Sequence, residues 1–154
     1  MLRISGAFQL GVCIVCIILT LSLVQGTVAA SASKQAPYDV TIRYTGMMTG
    51  MIQTGYGPVF PTGNDVFLII TYQIQNHVDR EFYTNPNNFF VIVNSVQYGY
   101  SANSFELPNM LSTVSLLNGG SVAGSLAFEV PVGTTSYTPT YQWITSFNIQ
   151  WISG

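Results

Sequence analysis

Asp65 to Asn76 reads DVFLIITYQIQN, the longest uninterrupted β-rich run of the chain outside its N-terminus. Val66, Leu68, Ile70, Tyr72 and Ile74 fall on one face at period two. Phe67 and Ile69 make the start of the other face apolar before Thr71, Gln73 and Gln75 turn it polar. The pattern predicts a central strand, buried on both sides at one end.

Shorter strands surround it. Tyr38 to Thr45 alternates as a half-buried strand. Phe82–Thr84, Phe89–Val93, Val96–Tyr100, Thr113–Leu117, Ser121–Val130, Tyr137–Trp143 and Ser146–Ile152 follow, with a short strand expected at Met51–Thr54. Asn85-Pro86-Asn87, Asn94-Ser95 and Asn118-Gly119-Gly120 are turn signals. Ala102–Met110 is irregular, with room for one helical turn, and Gly124 marks a bulge. About seven to nine short strands, punctuated roughly every ten residues, predict an all-β chain folded as an antiparallel β-sandwich.

The chain has 154 residues, enough for one domain. Its first 32 residues read as an export signal. Met1 to Arg3 is a short positive region, Gly11 to Val24 an apolar core, and Ala30-Ser31-Ala32 an A-x-A cleavage site, cut after Ala32 or, as second choice, after Ala30. The alternative is an uncleaved anchor helix over Ile4 to Val24, long enough to span a bilayer, and residues 4–24 are then the only membrane contact. Either way Arg3 stays inside and the domain is displayed outside, at the cell surface or beyond it. Cys13 and Cys16 both lie in this segment, so the exported part has no thiol, no disulfide and no cysteine metal site. Ser33 to Pro37 is a polar leader, and the domain runs from Tyr38 to Gly154.

Charged residues make up 6% of the chain, against about 25% in ordinary domains. From Ser33 onward the cations are Lys34, Arg43 and Arg80, and the acids Asp39, Asp65, Asp79, Glu81, Glu106 and Glu129. Three scattered cations argue against nucleic acid as a partner. Few carboxylates suit acid or variable surroundings; equally, they suit a surface meant for contact, where charge costs desolvation.

Two weak metal motifs stand in the chain. Met47, Met48 and Met51, within the Gly-rich connection Gly46–Asn64, offer thioethers that suit copper(I), although adaptable packing under a loop is the commoner use. His77, Asp79 and Glu81 share a face if their segment is extended, and could then hold a divalent cation. A solvated turn in which Arg80 neutralises both acids is the commoner outcome. Neither motif predicts a cofactor.

The segment order carries a resemblance. PTGNDVFLIITYQIQN, Pro61 to Asn76, and LLNGGSVAGSLAFEVP, Leu116 to Pro131, resemble landmarks of a family of secreted immunoglobulin-like domains of unknown function, similar to the mycobacterial immunoprotective extracellular protein. The resemblance covers about Tyr38 to Ile152 and implies an immunoglobulin-like sandwich; it implies no catalytic residue. A weaker resemblance is to archaeal surface-filament subunits, in which the N-terminal segment of one subunit fills a groove in the next. Such filaments are often glycosylated, and this chain has no Asn-x-Ser/Thr acceptor.

An enzyme is the least favoured class. There is one histidine and no G-x-S-x-G elbow, and whether Asp39 and Glu129 meet across strands is left open. The leading expectation is a structural, adhesive or filament-forming surface module, using sheet edges and aromatics such as Tyr56, Tyr98, Tyr100 and Tyr137. Its partner is another protein or a second copy. The rival is a binding domain for a small ligand or metal ion, built from the 46–64 loop and His77.

Overall fold

The computed structural model describes residues 37–144 and 146–154. The expected export signal, its anchor-helix alternative and most of the leader lie outside the described residues.

The described residues form eleven strands and two short 3-10 turns, with no α-helix among them. The strands are β1 (Val40–Thr49), β2 (Ile52–Thr54), β3 (Gly57–Val59), β4 (Asp65–Asn76), β5 (Phe82–Thr84), β6 (Phe89–Val93), β7 (Val96–Gly99), β8 (Val114–Leu116), β9 (Ser121–Pro131), β10 (Thr138–Tyr141) and β11 (Ile149–Ser153). A four-stranded sheet runs β11-β1-β4-β9, a three-stranded sheet β10-β6-β7, and β2-β3 and β5-β8 form two-stranded ribbons.

β4 keeps the bounds read from sequence and organises both neighbours. It pairs antiparallel with β1 from Val40↔Asn76 to Thr49↔Phe67, and with β9 from Asp65↔Pro131 to Gln75↔Ser121. Leu68, Ile70, Tyr72 and Ile74 point into the main core, with Val40 and Ile42 of β1 and Leu126, Phe128 and Val130 of β9. Phe89, Val91 and Val93 of β6 close the core from the other sheet. The Tyr72 and Phe89 ring centroids stand 5.0 Å apart. Two sheets sharing one apolar layer fit a β-sandwich.

The second apolar face at the start of β4 is also covered. Phe67 packs with Ala127 and Ile52, and Val59, Ile69 and Leu107 surround them. The β2–β3 ribbon is therefore a flap laid over the outer face of the large sheet. Further along, that outer face carries Thr41 and Arg43, Gln73 and Gln75, and Ser121 and Ala123, in register across three strands.

Several expectations are corrected. The sandwich is not wholly antiparallel: β11 pairs parallel with β1, from Val40↔Ile149 to Tyr44↔Ser153. β4 occupies one edge of β1, and β11, arriving from the other sheet, takes the remaining edge in the same direction. The strands number eleven rather than seven to nine, because the glycine-rich 46–64 connection contains β3 and lends four residues to β1, Gly46 to Thr49, opposite Phe67 to Ile70. Gly124 marks no bulge, since the β4–β9 register is continuous through Tyr72↔Gly124. A side chain there would overlap the backbone of Leu111, whose N–H bonds Ser125 O at 3.0 Å. Gly124 thus permits close approach of two backbones.

The two-residue turn Asn94-Ser95 has φ of 50° and 67°. Positive φ at both positions matches the twist of its strands and closes the β6–β7 hairpin that the sequence predicts.

Candidate functional site

No residue between Arg43 and Asp65 carries a charge. In the fold this stretch becomes one end of the large sheet, where β1 finishes and β4 begins. β1 presents Met47 on the outer face opposite Ile69, and Met48 on the inner face opposite Leu68. Met51 follows in a tight turn where Thr49 Oγ1 donates to Met51 O at 2.8 Å. At the tip of the β2–β3 ribbon the Tyr56 N–H donates to Thr54 Oγ1 at 3.0 Å, and the hydroxyl of Thr54 donates to Gly57 O at 2.8 Å. The tip is therefore ordered, yet the Tyr56 side chain is fully exposed. Phe60 follows, 65% exposed, and Val132 is exposed just past the end of β9, its N–H bonded to Asn64 O. Met47, Met51, Tyr56, Phe60 and Val132 give this end several exposed apolar side chains, with Asp65 at the start of β4 beside Val132. Aromatic and methionine side chains in such a setting are typical of contact surfaces.

Glu129 holds the end together from beneath. Its carboxylate accepts from the Thr62 N–H at 3.0 Å, the Ser101 hydroxyl at 2.7 Å and Asn103 Nδ2 at 3.2 Å. Burial pushes the carboxyl up, but the Ser101, Thr62 and Asn103 donors together pull it below the usual carboxylate range. One carboxylate thereby fastens two loops, 60–64 and 101–103, to β9.

The opposite end holds a second cluster of charge, Asp39, Asp79, Arg80 and Glu81. Arg80 pairs with Asp39 at 2.6 Å, the one ion pair among the described residues. Its guanidinium also donates to Ser146 O at 3.1 Å and lies 4.5 Å from the Phe147 ring centroid. Asp39 Oδ2 accepts from the Asn148 N–H at 3.1 Å. These contacts clamp the entry to β11 beside the start of β1.

His77, Asp79 and Glu81 do not converge, and no group of three metal-ligating side chains of this kind exists among the described residues. The segment is a bend, not a strand, because buried Asn76 pins it: Asn76 Nδ2 donates to Arg80 O and Leu116 O, and Asn76 Oδ1 accepts from the Val78 N–H. His77 Nε2 lies 3.0 Å from Thr41 Oγ1, Asp79 accepts from Asn118 Nδ2 at 2.8 Å, and Arg80 turns to Asp39 instead of neutralising its two neighbours. Met47 and Met48 point to opposite faces of one strand, so the three methionines do not enclose one ion. The methionine loop and His77 lie at opposite ends of β4, roughly 25 Å apart along the strand, and form no common site. Asp39 and Glu129 are likewise at opposite ends.

Of the four candidate tyrosines, only Tyr56 is exposed. Tyr98 is half-buried against the core. Tyr137 lies across Gly46, where no side chain leaves room for it, and packs edge-on against Tyr44 at 6.4 Å. Tyr100 bridges to Phe128 and stands beside Phe105. Phe60, Phe105 and the Glu129 bracket escape the sequence reading. The available signal was an aromatic residue set among prolines and turn formers, where no strand or helix period asks for one.

No curated protein and no solved structure matches the chain. A family model does, over residues 30–149, and by that match the chain belongs to the family described as a domain of unknown function, DUF4352.

Proposed function

We propose that this chain is a non-enzymatic extracellular module, an immunoglobulin-like sandwich acting at the cell surface by protein–protein contact in a structural or adhesive role. The observation that carries the reading is the set of exposed apolar side chains Met47, Met51, Tyr56, Phe60 and Val132 at one end of the large sheet. Exposed apolar side chains gathered at one end suit contact with a partner that covers them. The non-enzymatic reading is supported by the engagement of His77, Asp39 and Glu129 in structural hydrogen bonds, far from one another.

The test is sedimentation velocity on protein released from its native surface, as wild type and as the double variant Tyr56→Ser, Phe60→Ser. The expected result is an assembly larger than one 16.8 kDa chain that the double variant reduces to monomer. A monomer in both cases, with no co-purifying protein, refutes the reading.

A further inference from the structure

The 3-10 turn Ala102–Glu106 turns Asn103 and Ser104 toward β9. Ser101, its cap, bonds Glu129 and sends its N–H to Ala127 O at 2.7 Å. Asn103 bonds Glu129 as well. Ser104 is fully buried; its hydroxyl donates to Ala127 O at 3.2 Å and accepts from the Ala127 N–H at 2.9 Å. Three polar anchors, Ser101, Asn103 and Ser104, fasten this five-residue turn to β9. What it presents is Phe105, 68% exposed, edge-on to Tyr100 at 6.4 Å.

The two rings form one wall of a groove of about 430 Å³. Asn85–Asn87 and Met110–Thr113 form the rest, and no charged side chain lines it. This volume lies within the range of small-molecule sites. The chemistry is mixed in a particular way. The rings offer flat apolar faces, while Asn87, Ser112 and Thr113 offer amides and hydroxyls that both donate and accept. A lipid chain would leave those polar groups unpaired, and an ionised ligand would find no counter-charge. A pyranose satisfies both sides, with C–H faces for the rings and hydroxyls for the rim. We propose that this groove is a binding site for a neutral saccharide, with Phe105 and Tyr100 as the stacking platform and Asn87, Ser112 and Thr113 as the hydroxyl-reading groups. The groove shares no lining residue with the apolar end.

The test titrates the exported protein with neutral hexasaccharides of glucose, mannose and N-acetylglucosamine, with a galacturonate hexasaccharide and with a proline-rich peptide. Saturation-transfer NMR and calorimetry read the binding. At least one neutral hexasaccharide is expected to bind. Phe105→Ala should weaken it about tenfold, and Val96→Ala, an exposed change on β7, should leave it unaltered. Phe105 is exposed, so its variant should melt with the wild type; if it does not, Asn87→Ala reads the same groove and should weaken binding severalfold. The proposal is overturned if no neutral saccharide binds, if binding survives both groove variants, or if the galacturonate or the peptide is the ligand that Phe105→Ala releases.

Discussion

Replacing Tyr72 by phenylalanine should make this protein more stable, although most tyrosine-to-phenylalanine changes in cores do the reverse. Tyr72 is completely buried at the centre of β4, and its hydroxyl has no hydrogen-bond partner. An orphaned buried hydroxyl costs about 1–3 kcal/mol relative to its hydrated state. Phenylalanine keeps the ring against Phe89 and removes that cost. Deleting one oxygen leaves a void whose penalty is about 0.4 kcal/mol at ~24 cal/mol per Å³. The net expectation is a gain of about 1–2 kcal/mol, or roughly 3–6 °C in melting temperature for a domain of this size. Urea unfolding with an unchanged m-value and calorimetry on both proteins measure it. A loss of about 1 kcal/mol or more in the variant would refute the reasoning and show that the hydroxyl is bonded in solution. A second readout is alkaline pH. Burial, then the neighbouring Tyr137 and Tyr44, push the Tyr72 hydroxyl well above its unfolded value near 10. Its contribution is thus complete below about pH 10 and is lost as pH rises further. The variant should lose less stability than wild type there. Burial also raises Tyr137, and pushes Tyr141 up to about 12, so some alkaline loss remains.

Gly124→Ala should cost about 2–3 kcal/mol in urea unfolding, because its Cβ meets the Leu111 backbone, which cannot swing aside. Gly50→Ala, with open space around it, should stay within about 0.5 kcal/mol of wild type; equal effects would show that close approach to Leu111 does not govern Gly124. Glu129→Gln should lower stability at neutral pH by about 1 kcal/mol. The wild-type carboxylate, held below the usual range, gives stability that is present above about pH 4.3 and lost as pH falls through its folded value. Melting temperature between pH 2 and 6 should therefore fall less steeply in Glu129→Gln, and parallel curves would sink the bracket.

What the sequence showed best was what period and turn chemistry control. β4 stands at its predicted bounds because alternation over twelve residues admits one register. Its double-sided start was legible in Phe67 and Ile69, and Asn94-Ser95 announced a hairpin. Met51 to Thr54 reads as a short strand and holds β2, whereas Gly46 to Thr49 misled, since glycine and methionine carry weak strand propensity and pairing against Phe67–Ile70 overrides it. The parallel partner of β1 lies more than a hundred residues away, where no local pattern reaches. His77, Asp79 and Glu81 look like one face only if their segment is a strand, and the hydrogen bonds of buried Asn76 make it a bend. The saccharide groove was half legible: Tyr100 was a candidate, but the rigidity that turns Phe105 outward resides in Glu129, a residue 24 positions later in the sequence.

The pairing of β1 with β11 also sets an order of events. Val40 has one flank built by β4, but its other flank stays open until Ile149 arrives, and the Asp39–Arg80 clamp waits for Ser146 and Asn148. A chain emerging from a ribosome or a translocon therefore cannot seal its first strand early. Contacts this distant slow folding: the large sheet gains its fourth strand only after nearly all of the described chain has been made.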